Sequence, residues 1–161
     1  MTVNTDAAAA LAGCPLLADF SPTAIEALLP YFEVMEGGAG DRLYSQGDEG
    51  GGLYVIARGS VTARVRDVDG NDRVVGRLSA PDSFGELALL LRGQRLVSIE
   101  AATDVVLLEM SYDSFRRLKL KSPDVCLMVI MSIVRRFGHV LDESRDLLQR
   151  VLLRQLAGRD A

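Results

Sequence analysis

Pro81-Asp82-Ser83-Phe84-Gly85-Glu86-Leu87-Ala88-Leu89-Leu90-Leu91 decides the fold. Its opening residues are turn formers and the run from Glu86 to Leu91 is made of helix formers, so the segment reads as one or two helical turns entered through a glycine. Its surroundings have a different texture. From Gly37 to Met110, short β-rich runs are separated by Gly, Asp, Asn and Pro, the pattern of a sandwich or barrel. A helical turn lodged among strands presents free N–H groups at its start, and Gly85 lets a ligand approach that backbone. Arg95, at the mouth of the next strand, can add a forked, charge-assisted contact to an anion.

Outward from this segment, Leu53-Tyr54-Val55-Ile56 and Val61-Thr62-Ala63-Arg64-Val65 flank Arg58-Gly59-Ser60. Asp67-Val68-Asp69-Gly70-Asn71-Asp72 then turns into Arg73 to Leu78, and the three runs read as consecutive hairpins. Further strands are expected over Val97 to Ala102 and Val105 to Met110. Ser21-Pro22 opens a helix over 21–30, with serine as cap and proline in the first turn. After Ser111 the period becomes helical, and Pro123 opens a second, longer helix within the span 111–158. Its apolar residues Leu127, Ile130, Val134, Phe137, Leu141, Leu148 and Val151 recur at three- and four-residue steps, interrupted at Ser144. Gly138 marks a candidate bend.

The 161 residues, 48% of them hydrophobic, suffice for one core and one domain, spanning 16–161 after a poorly specified tail, 1–15. Eighteen Lys and Arg against 22 Asp and Glu leave a net charge of −4 without a basic stretch, so no general attraction to nucleic acid is expected. Cys14 and Cys126 have neither disulfide nor zinc spacing, which fits a reducing cytoplasm. The N-terminus lacks the order of a signal peptide, and the apolar run from Val125 to Val134 is far short of the roughly 20 residues that span a bilayer. His139 is the only histidine, so no metal is expected, and no base stands near a candidate nucleophile. The chain is read as a non-enzyme.

The sequence Phe84-Gly85-Glu86-Leu87-Ala88-Leu89-Leu90, with Arg95 nine positions after Glu86, resembles the phosphate-binding cassette of cyclic-nucleotide-binding domains, the catabolite-activator and kinase regulatory-subunit type. Gly40-Asp41-Arg42-Leu43-Tyr44-Ser45-Gln46-Gly47-Asp48 and Leu53 to Val61 look like that family's glycine-punctuated strands. The resemblance implies a mainly β, α+β fold: an eight-stranded antiparallel jelly-roll barrel (37–110) with a short cassette helix, an N-terminal helix and two C-terminal helices. It also implies a cyclic-nucleotide sensor. Glu86 would accept a hydrogen bond from the ribose 2′-hydroxyl, Arg95 would neutralise the cyclic phosphate, and amides of Gly85, Glu86, Leu87 and one near Val97 would complete the phosphate contacts. Phe84, Ala88, Leu96, Val97 and Ser98 complete the expected ligand-binding set.

The two residues after the arginine are usually small in that family and are here Leu96 and Val97. Leu96 also occupies the place where cyclic-GMP-preferring members often carry a threonine, which favours cyclic AMP over cyclic GMP as ligand. The helix after the barrel supplies a purine lid in the family, with Phe137, Val140 and Leu141 as candidates here, and moves on binding to reach an effector protein or domain. Its second half extends beyond what one barrel covers, which suits a homodimer. With so few residues after this helix, neither a helix-turn-helix nor a catalytic domain is expected in this sequence. The rival reading is a degenerate barrel kept as a dimerisation or docking module, its pocket closed by Leu96 and Val97. A cupin-like metal enzyme is the remote third.

Overall fold

The computed structural model describes residues 3–157, so the first two residues of the expected tail and the last of the expected helical span, 158, lie outside it. Helices α1 (Val3–Gly13) and α2 (Pro22–Leu28) come first, with single 3-10 turns at Pro15–Leu17 and Leu29–Tyr31. The strands are β1 (Glu33–Gly37), β2 (Arg42–Tyr44), β3 (Glu49–Gly50), β4 (Gly52–Arg58), β5 (Ser60–Arg66), β6 (Asp72–Ser79), β7 (Ser83–Phe84), β8 (Gly93–Gln94), β9 (Ser98–Ala101) and β10 (Val105–Ser111). Helix α3 (Leu87–Leu91) interrupts them, and α4 (Tyr112–Lys121), α5 (Pro123–Glu143) and α6 (Arg145–Ala157) follow.

The architecture is α+β with antiparallel pairing throughout. Two four-stranded sheets, ordered β1-β10-β4-β7 and β2-β9-β5-β6, carry the fold, and β3 and β8 form a separate two-stranded ribbon. The described strands therefore number ten rather than eight, and the sheets do not join into a closed barrel.

The turn at Gly59 corrects the expected hairpin series. β5 and β6 do form one, from Ser60↔Ser79 to Arg66↔Asp72. β4 and β5 do not pair with each other, because the chain crosses between sheets at Gly59. Thr103-Asp104 makes the same crossing from β9 to β10, and the two corners lock together: Ser60 N–H donates to Thr103 Oγ1 at 3.0 Å and Ala102 N–H to the Ser60 carbonyl at 2.9 Å. Turn residues report that a chain changes direction, not which strand it meets next.

Strands β4 and β10 separate two cores by simple alternation. Leu53, Val55, Leu108 and Met110 point to the helical side, where they meet Leu11, Leu17, Leu28, Leu118 and Ile133. Ile56, Val105 and Leu107 point between the sheets, toward Val61, Phe84, Ile99 and Ala101. Burial on both faces explains why these two strands read as nearly continuous apolar runs. Each fully buried Leu or Ile contributes about 1.5–3 kcal/mol relative to exposure.

The helices begin as their caps dictate. Ser21 Oγ accepts from Ala24 N–H at 3.2 Å, and Ser111 Oγ from Ser114 N–H at 3.1 Å. Helix α2 stops at Leu28, short of the expected residue 30, because Pro30 falls in the following 3-10 turn. Residues left unassigned by sequence form α1, which seats Ala7 and Leu11 in the helical core. Three helices follow the strands instead of two. The break falls at Ser144 and not at Gly138, through which α5 runs uninterrupted. One face of α5 buries Cys126, Val129, Ser132 and Ile133, while α6 buries no residue.

Candidate functional site

The site is built where β7 runs into α3. Gly85 has φ +79°, and a Cβ there would lie 2.6 Å from the Gly52 carbonyl oxygen and 3.0 Å from Arg95 Nη1. The position therefore requires glycine both for its left-handed backbone and for the close packing of β4 and Arg95 around it. The bonds of the helical turn start with Ala88 N–H to the Gly85 carbonyl (3.1 Å) and Leu89 N–H to that of Glu86 (3.2 Å), so the preceding amides stand ahead of its first bond. The turn is brief: Arg92 takes a left-handed conformation, φ 38°, and ends it.

Arg95 is 8% exposed and makes no ion pair among the described residues. Its hydrogen bond within the protein runs from Nη1 to the Gly52 carbonyl, at a long 3.4 Å. The guanidinium instead lies 4.0 Å from the centroid of the Tyr44 ring. Glu86 differs: its Oε1 accepts from Arg136 Nε at 3.1 Å, and the carboxylate side chain is 13% exposed. Arg136 also donates through Nη1 to Ser83 Oγ at 2.8 Å. One α5 side chain thus grips both ends of the Ser83 to Glu86 turn.

A cavity of about 440 Å³ lies over these groups, within the roughly 300–1,000 Å³ common for small-molecule sites. Gly85, Glu86, Leu87 and Ala88 form one wall, Arg95, Leu96 and Val97 another, and Tyr44 and Phe137 also face it. Leu96, 74% exposed, has not closed it. Phe84 is buried beneath, its ring stacked on Tyr54 at 5.1 Å. Ser98 is buried away from the cavity, where its Oγ accepts from Gln46 N–H at 2.8 Å. Of the lid candidates, Phe137 reaches the cavity, while Val140 and Leu141 are about half exposed and do not line it.

Tyr44, Ser83 and Arg136 were not singled out in the sequence. For Arg136 a signal was present: it stands three and seven residues after Ile133 and Val129, hence on the buried face of α5. Among the described residues, no three His, Cys, Asp or Glu side chains cluster as metal ligands would. No helix of the structure is long and apolar enough to cross a membrane.

Residues 36–122, more than half of the chain, match the family model described as the cyclic nucleotide-binding domain. The chain belongs to that family. This cyclic nucleotide-binding domain is 34% identical over 95 residues to the cAMP-activated global transcriptional regulator CRP of Salmonella typhimurium, covering 58% of the chain and 45% of the regulator. It is 30% identical over 136 residues to the Cyclic AMP receptor protein of Thermus thermophilus, covering 84% of the chain and 62% of that protein. The domain thus spans about half the length of the curated relatives it matches. Among solved structures, the regulatory subunit of a cAMP-independent protein kinase A from Trypanosoma brucei superimposes with a TM-score of 0.71 at 26% identity, covering 84% of this chain and 47% of that one.

Proposed function

We propose that this domain is a cyclic-nucleotide sensor that prefers cyclic AMP and signals through its C-terminal helices. The observation that carries it is Arg95, a cation buried beside an open cavity and making no ion pair among the described residues. Burying an unpaired charge costs several kcal/mol, so an anion arriving from solvent is strongly favoured there. A cyclic phosphate supplies one. In this reading Glu86 accepts from the ribose 2′-hydroxyl with the lone pairs that Arg136 leaves free. Phe137 covers the purine, and Leu96, having no hydroxyl, offers nothing to guanine.

The pairing of Glu86 with Arg136 supports a relay. A ligand that draws on the Glu86 carboxylate alters the partner of an α5 side chain, so occupancy is felt directly by the helix. Titration with cyclic AMP by calorimetry should give saturable binding tighter than that of cyclic GMP and of 2′-deoxy cyclic AMP. Amide hydrogen exchange on the same sample should change across α5. No binding at millimolar cyclic AMP by the folded protein overturns the sensor reading, and unchanged exchange in α5 overturns the relay.

The outward faces of α5 and α6 support self-association. Leu127, Met131, Val134 and Leu141 of α5 are exposed at steps of four, three and seven, which is a heptad spacing, and Leu148 and Leu152 of α6 are exposed four residues apart. The heptad spacing of the exposed apolar residues on α5 favours a second copy of this chain as their occupant. Light scattering should give about twice the monomer mass, falling to one on changing Leu127, Met131 and Val134 to Glu; a monomeric wild type refutes it. The effector is then another protein or another part of a larger one. The Trypanosoma brucei structure, named as cAMP-independent, favours keeping the second reading: a barrel that docks without cyclic AMP.

A further inference from the structure

The support beneath Arg95 is an aromatic shelf assembled from three strands. Tyr54 of β4 and Phe84 of β7 stack with ring centroids 5.1 Å apart and planes 13° from parallel. Tyr54 is held at its far end, where its hydroxyl donates to Glu109 Oε1 of β10 at 2.8 Å. Tyr44 of β2 leans on both rings, each centroid 6.1 Å away. The register of β2 against β9 shifts between Arg42 and Tyr44, an irregularity of the kind that re-aims a side chain. On this shelf the Arg95 guanidinium sits 4.0 Å from the centre of the Tyr44 ring and 5.8 Å from that of Tyr54.

A buried arginine can be held by a carboxylate or by an aromatic face, and the two differ for an arginine that must receive an anion. A carboxylate would neutralise it and compete with the incoming phosphate. A ring face attracts the cation while leaving its charge and the edge of its fork available. Burial pushes the Tyr44 hydroxyl up to about 12, with nearby Arg95 opposing the rise and Glu86 adding to it, so the ring stays neutral.

We propose that Tyr44 is a positioning residue for phosphate capture: its ring face holds the Arg95 guanidinium in place in the empty pocket, without supplying a competing anion. This rests on the reading of the cavity as a cyclic-nucleotide site. The ring, not the hydroxyl, does the holding, because no hydrogen bond links the two side chains and the contact is with the face.

Calorimetry on the full chain with cyclic AMP, and with adenosine as a probe lacking the phosphate, tests it. Tyr44→Phe should bind cyclic AMP within about twofold of wild type. Tyr44→Leu should weaken cyclic AMP by roughly 5- to 30-fold, the upper range of a cation–π contact, while adenosine shifts by less than about twofold. Equal losses for both ligands would mean that Tyr44 only shapes the pocket, and an unchanged cyclic AMP affinity in Tyr44→Leu would dismiss it altogether. A readout independent of mutation is the Arg95 Nε–H resonance of the free wild-type protein, which the ring current should displace from its usual position; an ordinary position overturns the proposal. A wild type that binds no nucleotide but shows the displaced resonance removes the sensor reading and leaves the shelf standing.

Discussion

Arg95→Gln is expected to weaken cyclic AMP binding by at least about 30-fold, and by as much as a few thousandfold, while leaving the empty protein as stable as before or more so. Truncating one partner of a buried charge pair typically costs about 2–5 kcal/mol of affinity, which sets the range. The second half of the expectation comes from the lack of any carboxylate partner for Arg95 among the described residues. Removing a buried cation that has no ion pair removes its desolvation penalty and gives up only a ring contact and a long hydrogen bond, whereas removing one that held the fold together would lower the melting temperature. Calorimetry and thermal unfolding of the same variant read both effects. A large drop in stability with unchanged affinity would make Arg95 a structural residue and dismantle the proposed site.

Gly85→Ala is expected to damage both the fold and the site. The left-handed backbone at φ +79° costs an L-residue about 1–2 kcal/mol, and the new methyl would stand 2.6 Å from the Gly52 carbonyl oxygen, a main-chain atom that cannot swing away. That carbonyl is also the acceptor for Arg95 Nη1, so relieving the clash moves the arginine. A combined loss of about 2–4 kcal/mol, a melting temperature lower by roughly 5–15 °C, and weakened cyclic AMP binding should result. Gly138→Ala is the control: an added Cβ there meets nothing within 4 Å, and in a helix interior alanine should leave stability unchanged or raise it by up to about 1 kcal/mol. Equal melting temperatures for Gly85→Ala and wild type would refute the argument from packing.

The helical turn entered through Gly85 was legible in the sequence because its physics is local. Turn formers from Pro81 to Ser83, glycine before a run of helix formers, and an arginine at a fixed distance all lie within one short stretch of chain. The helix caps at Ser21 and Ser111 were legible for the same reason. The crossing at Gly59 was not. Its residues mark a turn, and whether β5 returns beside β4 or enters the other sheet depends on β10 and β9, which lie more than thirty residues further on. Val140 and Leu141 fit the apolar stripe of α5, but helix rotation against the core is set by Val129 and Ile133, and it leaves Phe137 as the lid candidate that faces the cavity.

By itself, then, the sequence determined the family, the α+β class, the helical turn entered through Gly85, and the serine caps that start α2 and α4, since spacing and turn chemistry along one stretch of chain carry that information. Only the tertiary structure decided that Glu86 is shared with Arg136, that Tyr44 and Tyr54 underlie Arg95, and that Ser98 faces away from the cavity. Each of those depends on which strand or helix arrives at a given side chain across a gap of tens of residues. The charge state of a neighbour, the face of a ring and the direction of a hydroxyl have no trace in local spacing.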